Sequence, residues 1–107
     1  MTILSFSPTG NTINFTAASS APTSVQASIN ADKIGFGHYR IVNSGSVTVF
    51  IGAGATAAQA TANAVVATSP PILPGAVEIM RFSPNFFFTA ITASGTAVVY
   101  VTPGEGI

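Results

Sequence analysis

Charge is almost missing from this chain. Asp, Glu, Lys and Arg make up 6% of its 107 residues, where a soluble globular domain carries about 25%. The six are Asp32, Lys33, Arg40, Glu78, Arg81 and Glu105, and they sum to zero. Soluble monomers keep apart through net charge and mixed surface ions, so a chain with so few is expected to lay much of its surface against other protein. Three cations leave no electrostatic footprint for nucleic acid, which is not an expected partner. Cysteine is absent, which excludes a disulfide framework and a thiolate metal site. No run of ~18 apolar residues exists, so no helix is expected to cross a membrane. The nearest approach, residues 53–66, is broken by Thr56, Gln59, Thr61 and Asn63. The start, residues 1–7, lacks a basic stretch followed by an apolar one and does not read as a secretory signal.

Groups for catalysis are scarce as well. His38 is the single histidine. Set with Asp32 and one of the serines it makes a triad on paper, but no Gly-x-Ser-x-Gly elbow accompanies it. Asp32, Glu78 and Glu105 are the only carboxylates from which a glycosidase pair could come. Ion pairs or caps with Arg40 and Arg81 are the expected use of Glu78 and Glu105; at least one of the arginines is expected to pair with Glu78 or with a carboxylate of another subunit, and Arg81–Glu78 is the version within the chain. Without cysteine or a histidine pair at ligand spacing, no metal site is expected. Gly52-Ala53-Gly54 lacks the further residues of a nucleotide loop. The expectation is a chain with no catalytic residues and no cofactor.

What the chain does have is 48% hydrophobic residues, enough for a single domain over residues 1–107 with its own core. They come in short runs punctuated by turn formers. Ile13 and Phe15 alternate with polar residues, as do Val25, Ala27 and Ile29. Tyr39-Arg40-Ile41-Val42 and Val47-Thr48-Val49-Phe50-Ile51 flank Asn43-Ser44-Gly45-Ser46, and residues 86–92 and 97–101 flank Ala93-Ser94-Gly95-Thr96. Both patterns read as hairpins. Residues 77–82 make a further strand. The Ala-rich stretch between the two patterns reads as a surface loop or as one or two helical turns over residues 56–62. About eight short strands with turns rich in Gly and Pro, and no long amphipathic helix, predict an all-β antiparallel sandwich or barrel.

Two strands are apolar on both faces. Phe86, Phe88 and Ala90 alternate with Phe87, Thr89 and Ile91, and Val98 and Tyr100 alternate with Ala97, Val99 and Val101. A strand with one face in water should alternate apolar with polar. A subunit interface is the expected second cover; loops folded over one face, the Ala-rich stretch among them, are the alternative. Interface residues are expected at Phe86, Phe87, Phe88, Tyr100, Arg40 and Arg81.

Residues 39–107 resemble small structural proteins of tailed-bacteriophage virions. The resemblance is carried by Tyr39-Arg40-Ile41-Val42-Asn43, by Ala57-Ala58-Gln59-Ala60-Thr61-Ala62-Asn63-Ala64, by Leu73-Pro74-Gly75-Ala76-Val77-Glu78 and by Val99-Tyr100-Val101-Thr102-Pro103-Gly104-Glu105-Gly106. It implies a capsid decoration or cement protein of β-sandwich, jelly-roll-like fold that binds the major capsid protein as a dimer or trimer. Such a protein is made in the host cytoplasm, sits on the outer surface of the head, and needs no cofactor. Residues 1–7 and 102–107 would serve as contact arms. The rival readings are a tail, neck or fibre-associated component, and a carbohydrate-binding sandwich for host attachment that uses His38, Tyr39 and Asn85.

Overall fold

Residues that alternate apolar with polar at period two form strands with one buried face. In the computed structural model, which describes residues 5–29 and 37–106, these stretches fall into nine strands and one helix. In chain order they are β1 (Ser7–Pro8), β2 (Ile13–Ala17), β3 (Val25–Gln26), β4 (His38–Asn43), β5 (Val49–Gly54), α1 (Ala57–Asn63), β6 (Pro71–Ile72), β7 (Val77–Arg81), β8 (Phe87–Ile91) and β9 (Ala97–Glu105). β1 and β2 both run antiparallel to β9, with Ser7 opposite Glu105 and Ile13 opposite Val101, so they are two lengths of one interrupted edge strand. Counted that way, the strands form two four-stranded antiparallel sheets. The first has the order β1/β2, β9, β4, β7, and the second β3, β8, β5, β6. The chain changes sheet at every connection except β5 to β6, which is the strand order of a jelly roll. The fold is the expected all-β sandwich, and the Ala-rich stretch takes its helical form.

The two expected hairpins are corners instead. β4 pairs with β9 and β7 in the first sheet, while β5 pairs with β8 and β6 in the second. Asn43 explains the first corner. Its side chain is fully buried; Nδ2 donates to Val47 O (2.8 Å) and Ile72 O (2.9 Å), and Oδ1 accepts from Gly45 N (3.0 Å). The amide thus ties the turn to β6 of the opposite sheet. Gly45 packs so closely on Ala97 that a Cβ there would lie 2.7 Å from Ala97 Cα. At the second corner Thr92 Oγ1 donates to Gly95 O (2.7 Å), and Gly95 takes a φ of 78° that an L side chain avoids. Turn composition marks where the chain bends. Which sheet receives it is decided by packing: Ile41 and Ile51 must both face the core, from opposite sides.

That core lies between the sheets. Phe15, Tyr39, Ile41, Val99 and Val101 come from the first, and Val49, Ile51, Ile72, Phe88 and Ala90 from the second. One end is filled by aromatic rings, with Tyr39 and Phe88 at a centroid distance of 4.7 Å and Phe82 5.6 Å from Phe88. The Tyr39 hydroxyl donates to Ser83 O (2.7 Å) and accepts from Phe86 N (3.3 Å), tying the β7–β8 turn to β4. Burial pushes the Tyr39 phenol above its ordinary pKa of 10.0, against the opposing pull of its backbone hydrogen bonds to Phe86 and Asn85. Above pH ~10 the unfolded chain therefore releases a proton that the folded one keeps, and stability falls as pH rises. Tyr39→Phe is expected to flatten that alkaline fall and to cost about 1–2 kcal/mol at neutral pH through the two lost hydrogen bonds. Thermal melts of both proteins at pH 8 and above pH 10 measure it; parallel melting curves would show that Tyr39 has no part in the alkaline loss.

Neither arm is free in its described part. Residues 102–105 complete β9, between β4 on one side and β1 on the other, and the Phe6 ring rests on Gly104. Residues 1–4 and 107 lie outside the described residues, as do Asp32 and Lys33.

Candidate functional site

The outer faces of the two sheets differ. The second sheet carries its own cover. Thr56 caps α1, accepting from Gln59 N at 3.2 Å, while Gln59 Oε1 accepts from Ala55 N at 3.1 Å. The Thr-x-x-Gln spacing at residues 56–59 is a helix-start signal that a close reading of the Ala-rich stretch can find. A seven-residue helix is marginal alone; it persists here because its alanines settle on glycines of β5. A Cβ on Gly52 would meet Ala60 O and lie 2.7 Å from Ala64 N, and one on Gly54 would lie 2.7 Å from Ala60 N. Asn63 Nδ2 donates to Ala53 O (2.9 Å), Ser24 Oγ to Ala57 O (3.1 Å) and Thr89 Oγ1 to Pro22 O (2.9 Å). The helix and the segment after β2 together bury Thr89 completely. The double-sided apolar pattern of β8 is therefore satisfied within the chain, and the expected subunit cover is not needed there.

The first sheet has no helix over it among the described residues; only its end at Gly104 is covered, by the Phe6 ring, and His38 Nδ1 is buried there. Register assigns its outward side chains, because residues directly opposite share a face. Asn14, Tyr100, Val42 and Val77 form one row across β2, β9, β4 and β7; Thr102, Arg40 and Ile79 form the next; His38 and Arg81 form a third. Val77 is 46% exposed and Tyr100 41%. Val98 and Thr16 extend the face at its other end. The result is a mixed face: Tyr100 and Val77 are exposed beside half-buried Val42, Val98 and Ile79, polar Asn14, Thr16 and Thr102 lie among them, and both arginines stand toward one end.

The structure splits the six expected interface residues. Tyr100, Arg40 and Arg81 come together on this face. Phe88 does not reach any surface: it is fully buried between the sheets, which corrects its placement at an interface. The physical reason is that β8 lies inside its sheet, between β3 and β5, with Phe88 aimed at Tyr39. Phe86 is half-buried and stacks on Phe82 at 5.7 Å. Phe87 belongs to the outer side of the other sheet, opposite Gly54 and Gln26. Three residues the sequence reading passed over, Val42, Val77 and Ile79, complete the face, and no local pattern marks them, because register across β4 and β7 brings them together.

The expected Arg81–Glu78 pair does not form. Three residues apart in a strand, the two point to opposite sides; Glu78 lies opposite inward-facing Ile41 and Arg81 opposite His38. Arg40 faces Ile79 and Thr102, so its cross-strand neighbours offer no carboxylate either.

The catalytic arrangements weighed from sequence are not assembled among the described residues. His38 has Arg81 and Gly104 as cross-strand neighbours, with no serine opposite. Glu78 and Glu105 sit two strand spacings apart across the sheet (~10 Å) and about four residues apart along it (~13 Å), beyond the roughly 5–10 Å of glycosidase carboxyl pairs. No cluster of three metal-ligating side chains occurs among the described residues, and no helix is long and apolar enough to cross a membrane. A cleft of about 300 Å³ lined by Ile51, Ala53, Asn63, Ser69, Pro70 and Phe82 holds no titratable group. Its serine hydroxyl is occupied, donating to Asn63 O and accepting from Val65 N. Of the residues considered for sugar binding, Tyr39 is buried in the core and the Asn85 side chain accepts from Ile29 N at 2.9 Å, so they present no exposed cluster with His38. Comparison with protein-family models, with curated proteins and with solved structures finds no match.

Proposed function

We propose that this chain is a non-enzymatic structural protein of a phage virion, a decoration or cement protein that binds the major capsid protein on the outer surface of the head and staples neighbouring subunits. The observation that carries the reading is the asymmetry of the sandwich: one sheet has its own helical cover, and the other, among the described residues, has none and offers a mixed face with Tyr100 and Val77 exposed and both arginines toward one end. The near absence of charge and the resemblance of residues 39–107 to virion proteins agree with it, and jelly rolls are a common capsid architecture.

The mechanism is passive burial. The open face is three strand spacings wide and about five residues long, a projected area of about 240 Å², where a standard interface takes ~800 Å² from each partner. One such contact is weak. Repeated around a closed shell, with each copy touching more than one subunit, it gains through effective concentration. The dimer or trimer expected from sequence would form through other surfaces, so that this face stays free for the shell.

Immunogold labelling of particles produced by the source virus tests the reading. Label spaced evenly over the head is the expected result. Label confined to tail or neck moves the protein to the rival virion location, and particles without label overturn the proposal.

A further inference from the structure

We infer that the outward face of the first sheet docks an acidic protein surface, one that sets carboxylates against Arg40 and Arg81 while an adjoining apolar strip covers Tyr100, Val42 and Val77. This rests on the proposed function and names the chemistry of the partner.

The argument starts from where the charges lie. The chain is neutral, and among the described residues this face carries two arginines and no carboxylate of outward parity. Both arginines and the single histidine have outward parity, although His38 Nδ1 is buried, whereas Glu78 and Glu105 have inward parity on β7 and β9, with Glu78 exposed at the sheet edge. His38 and Arg81 are directly opposite, with side chains ~5 Å apart at Cβ, and Arg40 lies two residues, ~7 Å, along β4. Among the described residues neither arginine has a carboxylate as its cross-strand neighbour. An anion supplied from outside answers them, and the planar guanidinium fork suits a carboxylate in two-point contact.

Charge also decides between occupants. A second copy laid face to face would bring four arginines into one interface without a counter-charge, so it is not the occupant. Nucleic acid binds by neutralising many phosphates, and three basic groups are too few. Tyr100 lies between Val42 and Asn14, with Val98 and Thr102 along its own strand; a sugar is the competing occupant, and the titration separates the two. An apolar strip edged by arginine, with an exposed tyrosine at its centre, matches the composition of protein hot spots.

The test is a titration of the ¹⁵N-labelled full chain, followed by amide shifts, with a random glutamate–tyrosine copolymer as the acidic apolar probe and a lysine–tyrosine copolymer as its opposite. Shifts at Arg40, Val42, Val77, Arg81 and Tyr100 with the first probe and not the second are expected. Arg40→Glu with Arg81→Glu should weaken binding about tenfold or more. Arg40→Gln with Arg81→Gln, which adds no negative charge, should weaken it in the same direction. Tyr100→Ser should weaken it several-fold, while Ala58→Glu on the exposed side of α1 should leave it unchanged. The same spectra report whether each variant is folded. An equal response to both copolymers, or one undiminished in the arginine variants, overturns the inference. So does tighter binding of a hyaluronan oligosaccharide or an oligonucleotide, and so do concentration-dependent shifts at these amides without any probe, which would seat a second copy there. Head labelling on virions without a copolymer response overturns this inference and leaves the proposed function standing; a response without virion labelling does the reverse.

Discussion

Asn43→Ala is expected to remove about 3–5 kcal/mol of stability, because three hydrogen-bonded groups lose their partner at once and each unsatisfied group inside a protein costs about 1–3 kcal/mol. Val47 O and Ile72 O lose a donor, and Gly45 N loses its acceptor. Against the 5–15 kcal/mol that separates folded from unfolded in a typical domain, this is a large share. The damage should concentrate at one place, since the amide joins the β4–β5 corner to β6 and thereby one sheet to the other. Urea unfolding gives the stability, and hydrogen exchange at Gly45 and Val47 gives the location. Asn43→Asp keeps the shape but turns two donated hydrogen bonds into carboxylate oxygens facing carbonyls. It should be at least as damaging at neutral pH, and should recover in part in acid, where the carboxyl is protonated and can donate again. A loss below ~1 kcal/mol in the alanine variant would show that packing alone holds the corner.

Gly52→Val is expected to cost about 2–3 kcal/mol and to lift α1 from its sheet. The new side chain would occupy the space of Ala60 O and the Ala64 backbone, and overfilling a close-packed contact typically costs 1–3 kcal/mol. Backbone cannot give way as the end of a flexible side chain can, so the helix must move as a unit. Once it moves, Phe87, Thr89 and Ile91 lose their cover, and the uncharged run 85–91 becomes a β-rich aggregation site. Loss of exchange protection at Ala60 and Ala64, together with a higher aggregation rate, is the expected pair of observations. Ala58→Val on the exposed side of the same helix serves as control, and should cost no more than the helix-propensity difference of ~0.5 kcal/mol. If Gly52→Val kept α1 protected and stability within that margin, the close approach of helix and sheet would not be what covers β8.

The contrast between Phe88 and Tyr100 shows what was legible in the candidate site. Both belong to strands with apolar residues on both faces, and both read from sequence as interface residues. Strand order separates them: β8 has its outer side roofed by α1, while β9 has no helix over its outer side and exposes Tyr100 there. Nothing local distinguishes the two strands. The roof is built by a segment more than twenty residues away in sequence, and Gly52 and Gly54 allow it only because they fall beneath the alanines of the helix. Arg40 and Arg81 were legible as unusual, being cations within apolar strands. That they share one face, with Glu78 of the opposite parity, followed only from the β4–β7 register.

Period-two alternation, Gly/Pro punctuation and the lack of any long amphipathic pattern were enough to determine an all-β sandwich of about eight strands, because those signals reside in each strand and turn separately. The scarcity of charge likewise belongs to composition alone. Tertiary structure decided the rest: that the turns at residues 43–46 and 93–96 are corners between sheets, that the Ala-rich stretch becomes a helical cover, and that one outer face carries this cover while the other does not. Each of these depends on which strands become neighbours. Neighbours are chosen by burying side chains from distant parts of the chain in one core, a condition that no single segment of the sequence contains.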